Sequence, residues 1–164
     1  MVDKIKVIIN NDQKEIRIPT GLRMIVRRAC IAVLKLENFE GSAQVSVTLV
    51  DNEKIRELNK KYRNVDNVTD VLSFPTGENG NYDKDPATGA FMLGDIIISM
   101  PKAVEQAEKH NNPMIQEVGF LAAHSMLHLL GYDHEDALDR MKMREKENTL
   151  LSQLGFHFFS GYDY

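Results

Sequence analysis

HSMLHLLGYDH, residues 124–134, packs three of the chain's five histidines into eleven positions. His124 and His128 are four residues apart, so a helix through them projects both imidazoles from one face, one turn above the other. Gly131, three residues past His128, is the residue type that ends a helix in a left-handed conformation. The chain can then double back and bring His134 to the same point. Two imidazoles so placed bind one zinc ion at about 2.0–2.1 Å each, and His124, His128 and His134 are the expected metal ligands. Leu127, Leu129 and Leu130 flank them, so this face is partly buried, where histidines without a shared partner would be costly to desolvate. Three protein ligands leave a fourth position open, which is the layout of catalytic zinc. Asp133 or another side chain could still close the site.

Outward from this segment the periodicity sets a frame. A helix is expected from about Met114 to Leu130, and the acidic, amphipathic stretch Glu135 to Leu154 reads as a last helix ended by Gly155. Upstream, GDIIIS (94–99) is a buried strand, and Pro101 opens a helix that ends near Asn111–Asn112. Residues 76–90 form one long loop rich in Gly, Asn and Asp, of a length often used as a lid. DVLSF (70–74) is extended, and QVSVTLVD (44–51) alternates with β-branched residues as a strand does. Asp51 or Asn52 caps a short helix through about Tyr62. Earlier, Thr20 is expected to cap a helix running to about Leu36, and KIKVII (4–9) is expected to form a hairpin with KEIRI (14–18). The expectation is a single α+β domain over residues 1–164. It has a small mixed β-sheet of about four strands covered by helices and carries a metzincin-like zinc site.

Composition narrows the function. Cys30 is the only cysteine, so no intrachain disulfide forms and thiolate-based zinc binding is excluded. The N-terminus lacks the apolar block of a signal peptide, and no stretch approaches a bilayer span; a cytoplasmic setting fits, with no membrane. The net charge of −4 rules out a general polyanion binder, so nucleic acid must be met by a local patch. Two patches are available. Arg23, Arg27, Arg28 and Lys35 share one arc of the first helix, either as a solvated face or as half of a phosphate-binding surface. Lys60, Lys61 and Arg63 form a short basic run, either simply solvated, as an exposed arginine after a helix usually is, or placed so that the guanidinium grips phosphate through two parallel hydrogen bonds.

The spacing H-x-x-x-H-x-x-G-x-x-H is shared with the metzincin proteases, but those carry Glu directly after the first His as general base. Ser125 stands there, and a hydroxyl cannot take that proton, so peptide hydrolysis by the usual route is disfavoured. No other residue stands out as a general base.

Together with ELNKKYRNVDNVTDVLSFP (57–75) and LGDIIIS (93–99), the histidine segment resembles the YbeY family of bacterial zinc-dependent endoribonucleases, associated with rRNA maturation and ribosome quality control. The resemblance runs from about Val45 to Gly155; the first forty residues share only the general layout. It implies one Zn²⁺ per chain on His124, His128 and His134, with Ni²⁺ or Co²⁺ as substitutes that suit the same ligands. It also implies Arg63 and His124 as catalytic residues. The implied substrate is single-stranded RNA, including the 3′ end of the small-subunit rRNA, with the ribosome or ribosomal proteins as partners. The family usually has Gly after the first histidine, where this chain has Ser125. Two other readings stay open: a zinc-dependent peptidase-like hydrolase using an unrecognised base, and a non-catalytic, zinc-stabilised ribosome-assembly factor. Asp70 and Asp95 are candidates to orient a histidine, or else ordinary turn residues. Tyr132 and Asp133 are candidates for steric and orienting roles in the metal segment. Tyr62 and Phe74 are candidates to stack on RNA bases, with core packing the alternative for Phe74. His110 and His157 have no partner pattern.

Overall fold

The structure, a computed structural model, describes residues 2–77, 81–133 and 135–156. Among the described residues there are five strands and five helices, alternating at first and then grouped as three strands followed by three helices. They are β1 (Val2–Asn11), α1 (Leu22–Leu36), β2 (Gly41–Val50), α2 (Asn52–Arg63), β3 (Val71–Pro75), β4 (Asp83–Lys84), β5 (Phe91–Ser99), α3 (Met100–His110), α4 (Met114–Leu129) and α5 (Ala137–Leu154). The sheet runs β1-β2-β5-β3, with β4 paired on β5 beyond that path. β1, β2 and β5 are mutually parallel, whereas β3 and β4 run antiparallel to β5. The expected α+β class with a mixed sheet is therefore observed.

The N-terminal hairpin is not. Residues 14–18 form no strand; the Gln13 side-chain amide donates to Asn11 Oδ1 and to the Ile16 carbonyl, each at 2.8 Å, and its oxygen accepts the Ile16 N–H at 2.8 Å. That clasp bends the chain away from β1. β1 pairs instead with β2, and parallel strands need a crossover such as α1 between them. Thr20 does not cap α1 either; Gly21 holds the N-cap position at φ 92° and makes no side-chain cap bond. Asp51 does cap α2, accepting the Lys54 N–H, and Ser99 caps α3 from the end of β5.

Alternation decides which face of the sheet each side chain serves. Val45, Val47 and Leu49 of β2 and Ile96 and Ile98 of β5 enter the main core with α1, α4 and α5. Ile97 points the other way, to the smaller cluster of Val50, Ile55 and Leu72 beneath α2. α4 is the centre of the molecule: every residue from Gln116 to Leu127 is buried. A helix covered all round carries its polar residues inside, and His124, Ser125, Glu117 and Gln116 are those residues. Among the described residues no helix is long and apolar enough to cross a membrane.

The β3–β5 excursion, expected as one open loop, is tied down. β4 pairs with Phe91 and Met92 of β5, and the Tyr82 hydroxyl donates to the Leu129 carbonyl at 2.6 Å. That bond supplies a partner to one of the last carbonyls of α4, which have none within the helix.

Candidate active site

The last two turns of α4 carry His124 and His128. Their Nε2 atoms are 3.1 Å apart, and the rings meet edge to face with centroids 4.7 Å apart. His124 is buried and His128 half-buried. On the far side of the first ring, Nδ1 of His124 lies 2.7 Å from Oε1 of Glu147, a carboxylate that is itself 3% exposed. An ionised carboxylate only accepts, so Nδ1 carries the proton and Nε2 of His124 presents its lone pair toward His128. Phe120 stacks against the same ring at 6.0 Å and limits its rotation.

Glu147 was not among the residues singled out from the sequence, although a signal exists. The buried residues of α5 are Met143, Glu147, Leu150 and Leu154, one helical stripe with a carboxylate in an otherwise apolar row. A charge in that position needs a partner inside the protein. What the sequence does not say is that α5 packs on α4 at the level of His124. Asp70 and Asp95, the carboxylates expected to orient a histidine, make other contacts. Asp70 accepts from Gln106 Nε2 at 3.3 Å and from Thr69 at 3.4 Å. Asp95 is exposed in the middle of β5, opposite Phe74.

The histidine pair opens on a groove of about 1110 Å³ walled by α4, β3 and the ends of α2 and α3, with Arg63, Asp70, Gln106, His110 and Asp133 among its lining. Arg63 is the last residue of α2, which stops because Asn64 adopts the left-handed conformation at φ 58°. Its Nη2 donates to the Ser73 carbonyl of β3 at 2.6 Å, and the guanidinium carbon lies 5.3 Å from the centre of the Phe74 ring. The guanidinium is thus fixed from behind with donors to spare. The segment after it is pinned by Arg56–Asp66 at 2.8 Å and by Asn59 Nδ2 donating to the Asn67 carbonyl at 3.0 Å. No described residue of α1 lines the groove; Arg23, Arg27, Arg28 and Lys35 are exposed on a helix that packs on α4, α5 and β1.

Beyond α4, Gly131 takes φ 104° and ends the helix as its spacing predicts. Tyr132 hydrogen-bonds Glu37, and burial together with that neighbouring carboxylate pushes its phenol up to about 12. Glu37 in turn pairs with Lys146 of α5 at 2.9 Å, so the segment leaving α4 is tied to α1 and α5. Asp133 accepts the Glu135 N–H at 3.1 Å. His134, the third expected ligand, lies outside the described residues, as does His157.

Among the described residues no group of three His, Cys, Asp or Glu side chains is arranged to hold a metal ion. The pair alone nevertheless has the right form for one. Two imidazole nitrogens bound to one tetrahedral zinc at about 2.0–2.1 Å each stand roughly 3.4 Å apart, close to the 3.1 Å between the two Nε2 atoms. The carboxylate behind His124 is the partner that metal-binding histidines ordinarily have, fixing tautomer and orientation.

Fold and site together define an α+β domain with paired histidines on its central helix, facing a groove edged by arginine. A family model described as Endoribonuclease YbeY matches residues 8–155. A protein named Endoribonuclease YbeY from Caldanaerobacter subterraneus subsp. tengcongensis is 46% identical over 154 residues, covering 91% of this chain and 97% of its own. One of the same name from Bacillus cereus is 44% identical over 133 residues, 80% of this chain and 85% of its own. The solution structure of TM1509 from Thermotoga maritima is similar with a TM-score of 0.61 and 28% identity, covering 90% of this chain and 88% of that one. The chain belongs to the YbeY endoribonuclease family. The match begins at residue 8, well upstream of the Val45 at which the motif resemblance starts.

Proposed function

We propose that this protein is a metal-dependent endoribonuclease that cleaves single-stranded RNA and acts, with the ribosome, in rRNA maturation in the cytoplasm. The observation that carries the proposal is the convergence of His124 Nε2 and His128 Nε2 beside an arginine held at the rim of the same groove. In this reading His124, His128 and His134 hold one zinc ion. When bound, the metal supplies Lewis acidity and a water of lowered pKa.

The chain's own residues do the rest. Glu147 keeps the proton on His124 Nδ1 and so keeps Nε2 available as a ligand atom. Arg63, braced on the Ser73 carbonyl, directs its remaining N–H groups into the groove, where they bind a phosphate and stabilise the charge that builds on it as the phosphodiester is attacked. Because the guanidinium is fixed before substrate arrives, little reorganisation is needed at the moment of reaction. The groove admits an unpaired strand whose backbone lies across Arg63 and the histidines.

The test is to incubate pure protein with unstructured RNA and, separately, with casein. Cleavage of RNA alone is expected, abolished in His128→Ala, whose metal content by elemental analysis falls below that of the wild type. Casein cleavage without RNA cleavage, or equal metal in both proteins, overturns the reading.

A further inference from the structure

Beside Arg63, at the edge of the groove, stands a largely exposed aromatic side chain. Tyr62 is 56% exposed, on the α2 turn that ends in Arg63. Arg63 lines the groove, and its guanidinium lies over the Phe74 ring that Tyr62 touches, which sets Tyr62 beside Arg63 at that edge. The Tyr62 ring meets Phe74 at 64° with centroids 5.3 Å apart, a contact that holds the ring in one orientation without covering it. A cation lies near each ring: Lys61 Nζ is 5.1 Å from the Tyr62 ring centre, and the Arg63 guanidinium lies over Phe74 at 5.3 Å.

We infer that Tyr62 is a stacking platform for a nucleobase of single-stranded RNA, beside the phosphate that Arg63 binds. The inference rests on the nuclease reading above and deepens it by naming the residue that selects unpaired strands. A base can lie on an exposed ring only if it is free of its own helix, and any base will do, since all four present a π-face. The platform therefore gives preference for single strands without preference for sequence. Lys61 and Arg63 add attraction for the phosphates on either side of the stacked base. Tyr62 is a positioning residue: it places the strand, and Arg63 meets the phosphate.

The experiment measures binding of wild type, Tyr62→Ala and Tyr62→Phe to a short fluorescein-labelled 2′-O-methyl RNA by anisotropy. The same proteins are then tested on versions of that strand with a single abasic site at each position in turn. Tyr62→Ala is expected to weaken binding by about 5- to 150-fold, the range for losing one stacked base, and Tyr62→Phe by no more than about twofold. One abasic position is expected to weaken the wild type while leaving Tyr62→Ala unaffected. On ordinary RNA, Tyr62→Ala raises KM and leaves kcat near its wild-type value. Wild-type affinity in Tyr62→Ala, equal losses in Tyr62→Ala and Tyr62→Phe, or the absence of any such abasic position overturns the assignment. The two readings fail separately. Loss of binding in Tyr62→Ala by a wild type that cuts no RNA sinks the nuclease, and RNA cleavage with unchanged binding in Tyr62→Ala sinks the platform.

Discussion

At the scale of single residues, the departure at position 125 has a physical consequence. Ser125 is fully buried, and its hydroxyl has no hydrogen-bond partner among the described residues. An unsatisfied buried hydroxyl costs about 1–3 kcal/mol. Ser125→Ala removes the hydroxyl and keeps a strong helix former, so chemical denaturation is expected to show a gain of about 1 kcal/mol; a loss of that size would mean that the hydroxyl is in fact bonded. Cys30 makes the opposite case of a polar group suited to its place. Burial, opposed weakly by Arg27, pushes its thiol from 9.0 up to about 12. The folded thiol keeps its proton where the unfolded one has lost it, so stability is full below pH 9 and declines between pH 9 and about 12. Native protein at pH 8 is accordingly expected to resist a thiol reagent such as DTNB until denaturant is added; rapid reaction without denaturant would refute this.

At the scale of elements, α4 packs tightly where it crosses α1. A Cβ placed on Gly119 would come within 2.6 Å of Ile25 Cγ2 and 2.9 Å of the Phe156 ring. In an exposed helix Gly→Ala gains roughly 1 kcal/mol. Here the overlap reverses the sign, and Gly119→Ala is expected to destabilise by about 1–3 kcal/mol, seen as a lower denaturation midpoint at unchanged slope. Most of this level was legible beforehand. β2, α2, β3, α3 and α4 lie within a few residues of their expected bounds because caps and periodicity are local: Asp51, Asn111 and Gly131 mark ends by their own chemistry. The N-terminal hairpin was misread because KEIRI alternates like a strand, whereas a single side chain, Gln13, closes a turn there. Alternation describes a segment's faces and says nothing about whether a neighbour is free to pair with it. The same limit explains the site. The histidine pair is local to one helix and was readable. Glu147 and the Ser73 carbonyl behind Arg63 come from elements far along the chain, and their placement is tertiary.

At the scale of the whole molecule, a site assembled from α2, β3, α4 and α5 couples ligand binding to stability. A metal ion bound by the native state alone raises the melting temperature by an amount that grows with the logarithm of its concentration relative to Kd. Chelation is therefore expected to lower the Tm and zinc to restore it, with no zinc response in His128→Ala. Glu147→Ala is expected to keep the response but shift it to about 10- to 100-fold higher metal concentration, read from Tm against added zinc. A Tm indifferent to metal in the wild type would remove His124 and His128 from the metal-binding role.

That same carboxylate is the last part of the site to be synthesised among the described residues. A ribosome-bound chain that has emerged only as far as Gly131 already holds the whole sheet and both α4 imidazoles. It lacks the eighteen-residue helix that carries Glu147. Until that helix is made and docks, His124 lacks the carboxylate that fixes which ring nitrogen bears hydrogen, so metal binding at the pair is expected to be about 10- to 100-fold weaker.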